Sequence, residues 1–179
     1  MAFTMTKVAT PNQTDFERLF QECLPYVAHE RRRMGDEALK NALWGALTNE
    51  DVDSVVYEKD GYVVGMASLG TLIWGDQRYL YHMYPTYGAD ETGSRAWWYS
   101  DDFQRVSADF VRDNNYVGIV TTFNPDTPAS NAVSNHFGNV QGNYFERPQE
   151  IEATKIWGPG FGKQNSTAKC FVIMLKEND

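Results

Sequence analysis

The stretch richest in chemistry is YLYHMYPTYGADETGSRAWWYSDD, from Tyr79 to Asp102. It reads as a strand, then a turn holding Gly88 and Gly93, then a helix. Strand, glycine turn and helix is a common way to build a phosphate cradle, because N–H groups at a helix start face the anion. Here the turn also carries Asp90 and Glu91, next to Ser94 and Arg95. Carboxylates repel a phosphate unless they point outward, and each close like-charge contact costs on the order of 1 kcal/mol or more. On the strand stands His82, and the unperturbed pKa of a histidine suits general-base work near neutral pH. The more usual reading of such a residue is a half-buried histidine bonded to a neighbour. Tyr79, Tyr81, Tyr84 and Tyr87 suit the wall of a substrate tunnel, or are simply good strand formers. Trp97-Trp98-Tyr99 raises a packing question, because successive helical residues point about 100° apart. At least one of the three must face an acceptor pocket, a partner, or a cover made by the domain's own loops, such as Gly158–Gly162.

These residues need elements to position them. Residues 6–9 suit a short first strand. Thr14 and Glu17 have the spacing of a capping box. Phe16, Leu19, Phe20, Cys23, Leu24 and Val27 then form one apolar helix face, which Pro25 should kink or end. A second amphipathic helix from Asp36 carries Leu39, Leu43, Ala46 and Leu47. Strands are expected at 54–58, 62–74 and 79–84, with Asp60-Gly61 as a hairpin turn and Pro85 as a stop. Ser94 or Asp101 would cap a helix bearing Phe103, Val106, Phe110 and Val111, which Asn114-Asn115 ends. Tyr116 to Phe123 is nearly continuous β-formers, as in a strand buried on both faces. Asn124–Pro128 leads into a short helix that Gly138 ends. Two last strands fall near 144–157 and 167–176. A right-handed crossover makes strands 79–84 and 116–123 parallel, with their carboxyl ends at one edge, where ligands of open sheets bind.

The 179 residues suffice for one domain with a real core. A formal net charge of −8 opposes nonspecific nucleic-acid binding, which needs surplus Lys and Arg. Arg31-Arg32-Arg33 suits a helix end or an anion. Cys23 and Cys170 read as small core hydrophobes, and neither they nor His29, His82 and His136 have metal-ligand spacing. No apolar run is long enough to cross a bilayer. No secretory signal is evident, so a reducing, cytoplasmic compartment is expected.

The order of elements resembles the GCN5-related N-acetyltransferase (GNAT) family across nearly the whole chain. The closest local match is Leu80-Tyr81-His82-Met83-Tyr84-Pro85-Thr86-Tyr87, similar to the family's central strand. Asn124, Asn131, Ala132 and Phe137-Gly138 resemble its later pantetheine-holding segment, and Tyr144-Phe145-Glu146 with Cys170–Ile173 its closing hairpin. The resemblance implies one α/β (α+β) domain over 1–179, with a mixed, mostly antiparallel sheet, helices on both faces, and one parallel strand pair joined by a helix. It implies acyl transfer from acetyl-CoA to a small-molecule or peptide amine, without a metal. The parallel strands would separate and the pantetheine arm would bond their freed backbone. Met83 and Tyr84 would hold the acyl group and arm by backbone bonds. Gly88, Gly93, Ser94 and Arg95 would face the pyrophosphate, and Asn124 and Asn131 would contact the cofactor. His82 would act as base. His136 or Ser134 would take the acid role that a Tyr fills in many family members. The family's loop, Arg/Gln-x-x-Gly-x-Gly/Ala, is eroded here, since its Arg or Gln falls at Gly88 and its first Gly near Glu91. Such erosion is similar to that of acetyltransferase-like internal virion proteins of short-tailed phages. That implies an alternative: an inactive member with a protein partner, located in a virion.

Overall fold

A computed structural model describes residues 2–26, 33–123, 143–152, 155 and 169–177, with backbone alone at 82–85, 98, 99, 122, 123 and 169. Seven strands and three α-helices lie among the described residues. In chain order they are β1 (Phe3–Val8), α1 (Gln13–Cys23), α2 (Asp36–Leu47), β2 (Asp53–Lys59), β3 (Tyr62–Trp74), β4 (Gln77–Tyr87), α3 (Asp101–Asp113), β5 (Gly118–Phe123), β6 (Gln149–Ile151) and β7 (Lys169–Met174). The sheet order is β1-β2-β3-β4-β5-β7-β6. β4 and β5 are parallel. β1–β2, β2–β3, β5–β7 and β6–β7 are antiparallel. This is the mixed, mostly antiparallel sheet with one parallel pair that the sequence pattern predicts. The short helix expected from Pro128 to Gly138 lies outside the described residues.

The chain divides into two compact units. The first comprises Met1–Gly70 with His82–Phe110, and the second Thr71–Tyr81 with Val111–Asp179.

In the first unit, side-chain alternation along β2 serves two apolar faces. Val56 packs with Phe16, Leu19, Phe20 and Cys23 of α1, with Leu39, Leu43 and Leu47 of α2, and with Met66. Tyr57 points the other way, against Tyr87 and Phe103. Burial on both faces explains why β2 reads as a continuous β-forming run. Asp60 and Gly61 both adopt positive φ (53° and 80°), the backbone of a tight hairpin whose twist matches its strands. The cap of α1 differs from the expected capping box. Asn12 accepts the Asp15 N–H at 3.0 Å, and Thr14 falls inside the helix. α3 is capped by Ser100, whose Oγ accepts the Phe103 N–H at 3.1 Å; Asp101 is the first helical residue, and Ser94 Oγ accepts the Ala96 N–H instead. β4 also runs through Pro85 to Tyr87.

In the second unit, Tyr79, Val120, Cys170 and Val172 form a buried cluster, with Trp74, Val117 and Ile151 against it. Gly118 is required by close packing, because a Cβ there would sit 2.5 Å from the Ile173 carbonyl oxygen. Thr71 Oγ1 and the Tyr116 hydroxyl share a hydrogen bond of 2.8 Å. The expected last two strands, 144–157 and 167–176, fall partly outside the described residues. Tyr144–Lys176 contributes only β6, β7 and an isolated Phe145–Leu175 bridge among the described residues. Both cysteines are buried thiols outside any disulfide.

Candidate functional site

His82, Met83 and Tyr84 lie in β4. Asn124, Asn131, Ser134 and His136 lie outside the described residues. The parallel ladder pairs Tyr79, Leu80 and Tyr81 with Gly118, Ile119 and Val120. Among the described residues it contains no further pair, although β4 continues to Tyr87 and β5 to Phe123.

The glycine turn after β4 lies in the first unit. Gly88 is buried against α1, where a Cβ would collide with the Glu22 carboxylate and approach Leu19 Cδ2 to 2.6 Å. A side chain at that position would therefore press on α1. Its N–H donates to Val64 O at 2.8 Å, and its carbonyl accepts the Trp97 indole N–H at 3.0 Å. The next amide, Ala89, donates to Glu22 Oε2 at 2.8 Å.

Asp90 organises the rest of the turn. Its Oδ1 accepts the N–H groups of Thr92 (2.9 Å) and Ser94 (3.0 Å) and the Thr92 hydroxyl (2.6 Å). Its Oδ2 accepts from the Lys59 ammonium at 2.7 Å. Its backbone N–H donates to Ser94 O and its carbonyl accepts from Gly93, where φ is 82°. This is an Asx-type turn, in which a short carboxylate bonds the amides just beyond it. Asp90 is only 5% exposed. Its partners, Lys59 foremost and then the Thr92 hydroxyl, hold its carboxyl well below the usual carboxylate range. The same hydrogen bond raises the Lys59 ammonium.

Glu22 is similarly matched. Its Oε1 meets Arg18 Nη1 at 3.3 Å, and Arg18 also donates to Val63 O at 2.6 Å. Arg95 donates to the Glu22 carbonyl at 3.4 Å. Glu22, Lys59 and Arg18 carry no signal in the sequence. Glu22 stands 67 positions before Ala89 and Lys59 31 before Asp90, so only the fold brings them together.

Trp97 to Tyr99 forms a short 3-10 helix over Ala96–Tyr99. Trp97 is buried in the aromatic cluster of Phe3, Tyr87 and Phe103, with centroid distances of 5.9, 5.8 and 5.4 Å. Tyr87 lies within this core, and burial pushes its phenol and that of Tyr57 upward, which keeps both neutral. Tyr79 is buried with Trp74, and its hydroxyl donates to Gln77 at 3.1 Å. A hollow of about 320 Å³ lined by Thr6, Asn12, Asp15, Glu58 and Met66, among others, contains none of the residues singled out for chemistry. Among the described residues no group of three His, Cys, Asp or Glu could hold a metal, and no helix is long and apolar enough to cross a membrane.

No protein-family model matches the chain, and no curated protein does. Solved structures do. A GNAT-family acetyltransferase from Streptococcus agalactiae aligns over 97% of this chain and 96% of its own, at 9% identity and a TM-score of 0.54. One from Staphylococcus aureus aligns over 98% and 100%, at 11% identity and a TM-score of 0.54. An aminoglycoside N-acetyltransferase aligns over 98% of each chain, at 12% identity and a TM-score of 0.54. At such identities the likeness concerns architecture, and it spans nearly the whole chain: the protein has the fold of the GCN5-related N-acetyltransferases.

Proposed function

We propose that this chain transfers an acyl group from a thioester of the CoA type to an amine. One observation carries the reading: among the described residues the parallel ladder of β4 and β5 has three pairs, although both strands run on. Backbone released from a ladder must find other partners, and a pantetheine arm, with its amides, offers them. The structures of like fold are named acetyltransferases, which agrees with this reading. Met83 and Tyr84 would bond the acyl group and arm through their backbone, and Asn124 and Asn131 would hold the arm further along. His82 would remove a proton from the amine. Nitrogen then forms the new bond to the acyl carbon, the carbon–sulfur bond breaks, and Ser134 or His136 would protonate the leaving thiolate. A net charge of −8 suits a cationic amine acceptor.

The test is thiol release from acetyl-CoA and from acetyl-pantetheine with a panel of primary amines and peptides. Turnover above hydrolysis is expected, and His82→Ala should slow it by about 10²- to 10⁴-fold. Background rates with every amine and both donors would sink the reading. Unchanged turnover in His82→Ala would remove that residue from the mechanism.

A second reading is favoured by the carboxylates inside the glycine turn. On it the chain is a catalytically inactive protein of this fold with a structural role or a protein partner, as in the internal virion proteins noted above. Melting is the discriminating measurement. A donor at a hundred times its Kd adds about 2.7 kcal/mol, so an unmoved Tm at millimolar donor, together with no thiol release, would support this second reading.

A further inference from the structure

A loop that receives a pyrophosphate offers unbonded N–H groups, and cations or a helix dipole assist it. In the turn from Gly88 to Ala96 seven amides, those of Gly88, Ala89, Asp90, Thr92, Gly93, Ser94 and Ala96, are bonded inside the protein. Gly88 donates to Val64 O, Asp90 to Ser94 O and Gly93 to Asp90 O. Ala89 donates to Glu22, Thr92 and Ser94 to Asp90, and Ala96 to Ser94 Oγ at 3.1 Å. The nearby cations are engaged as well: Lys59 with Asp90, Arg18 with Glu22, and Arg95 with the Glu22 carbonyl. The dipole is also elsewhere. The turn leads into a 3-10 helix of four residues, and α3 begins only at Asp101 with Asp101 and Asp102 in its first turn. Those two carboxylates already complement the positive helix end.

We infer that this turn supplies its own anions: the Asp90 and Glu22 carboxylates occupy the amides that a CoA pyrophosphate would need, so a donor is not held there by its pyrophosphate. The pyrophosphate therefore does not fit this turn. The inference rests on the acyl-transfer reading only for the donor's identity, and names the part of a CoA-type donor that the chain would recognise, the acyl-pantetheine arm. It also accounts for the eroded glycine pattern. Gly93 serves the left-handed backbone of an Asx turn, and Gly88 makes room for α1.

The experiment follows the backbone amides of Ala89, Thr92, Gly93 and Ser94 by ¹⁵N NMR on the full chain. Without ligand they should resist hydrogen exchange. Asp90→Ala should speed exchange at Thr92 and Ser94 but not at Ala89, and Glu22→Ala should do the opposite. Titration with inorganic pyrophosphate, then with acetyl-CoA, should give no saturable shift at these four amides. Acetyl-CoA and acetyl-pantetheine should bind within about threefold of each other, since each charge-assisted bond to a pyrophosphate would be worth roughly tenfold or more. Exchange at unprotected rates in the ligand-free protein would overturn the inference. So would saturable shifts at these amides, or a preference of a hundredfold for acetyl-CoA accompanied by them. Should neither donor support thiol release, the acyl-transfer reading fails while the exchange and pyrophosphate results still decide this one.

Discussion

Replacing Trp97 with Phe tests how the turn is tied to the core. Trp97 is 3% exposed, and its indole N–H donates to the carbonyl of Gly88 at 3.0 Å. Phenylalanine keeps an aromatic ring against Phe3, Tyr87 and Phe103 but removes the donor. A buried carbonyl left without that partner costs about 1–3 kcal/mol. The smaller ring also leaves a void of roughly 40 Å³, worth about 1 kcal/mol at the usual cavity cost. The sum is about 2–4 kcal/mol, or a fall in Tm of roughly 4–16 °C for a chain of this length. Urea unfolding, followed by circular dichroism, measures it. Ile73→Ala is the control, because Ile73 is 61% exposed, and surface changes stay within about 0.5 kcal/mol. A Trp97→Phe change as small as that control would refute the role given to the indole.

Three further outcomes are expected. Gly88→Ala should cost about 1–3 kcal/mol by overpacking, because the new methyl meets Glu22 and Leu19 of α1; a neutral result in urea unfolding would mean that α1 does not press on the turn. Gly118→Ala should destabilise by a similar ~1–3 kcal/mol or more, since its methyl meets backbone of β7, which cannot rotate away; an unchanged midpoint would contradict that packing. Asp90→Asn should change the acid limb of stability. The folded-state pKa of Asp90 is depressed, so its contribution is present above the unfolded value of about 3.9 and is lost as pH falls through the lower folded one. The Tm gap between wild type and Asp90→Asn should therefore be constant from about pH 6 to 8 and shrink below about pH 4; a gap that persists undiminished at pH 2 would rule out the charged Asp90.

Much of this protein's framework is legible in local sequence. The apolar periods of 13–23 and 36–47, the Asp60-Gly61 turn and the β-forming runs each carry their structure locally, because helix and strand periods and left-handed turn residues are short-range properties. The sequence also placed Gly88, Asp90 and Gly93 together in a turn after β4. Sequence pattern missed the ends of elements. Asn12 and Ser100 won the caps over Thr14, Ser94 and Asp101, and β4 ran through Pro85, because neighbouring strands and side chains decide where an element stops. Whether Asp90 points outward was beyond it altogether. The answer depends on Lys59, and the neighbouring amide of Ala89 on Glu22 of α1, residues that meet the turn only once the sheet has formed. Tertiary structure turned Asp90 inward, because a carboxylate that finds an ammonium and two amides within hydrogen-bond reach can be buried charged.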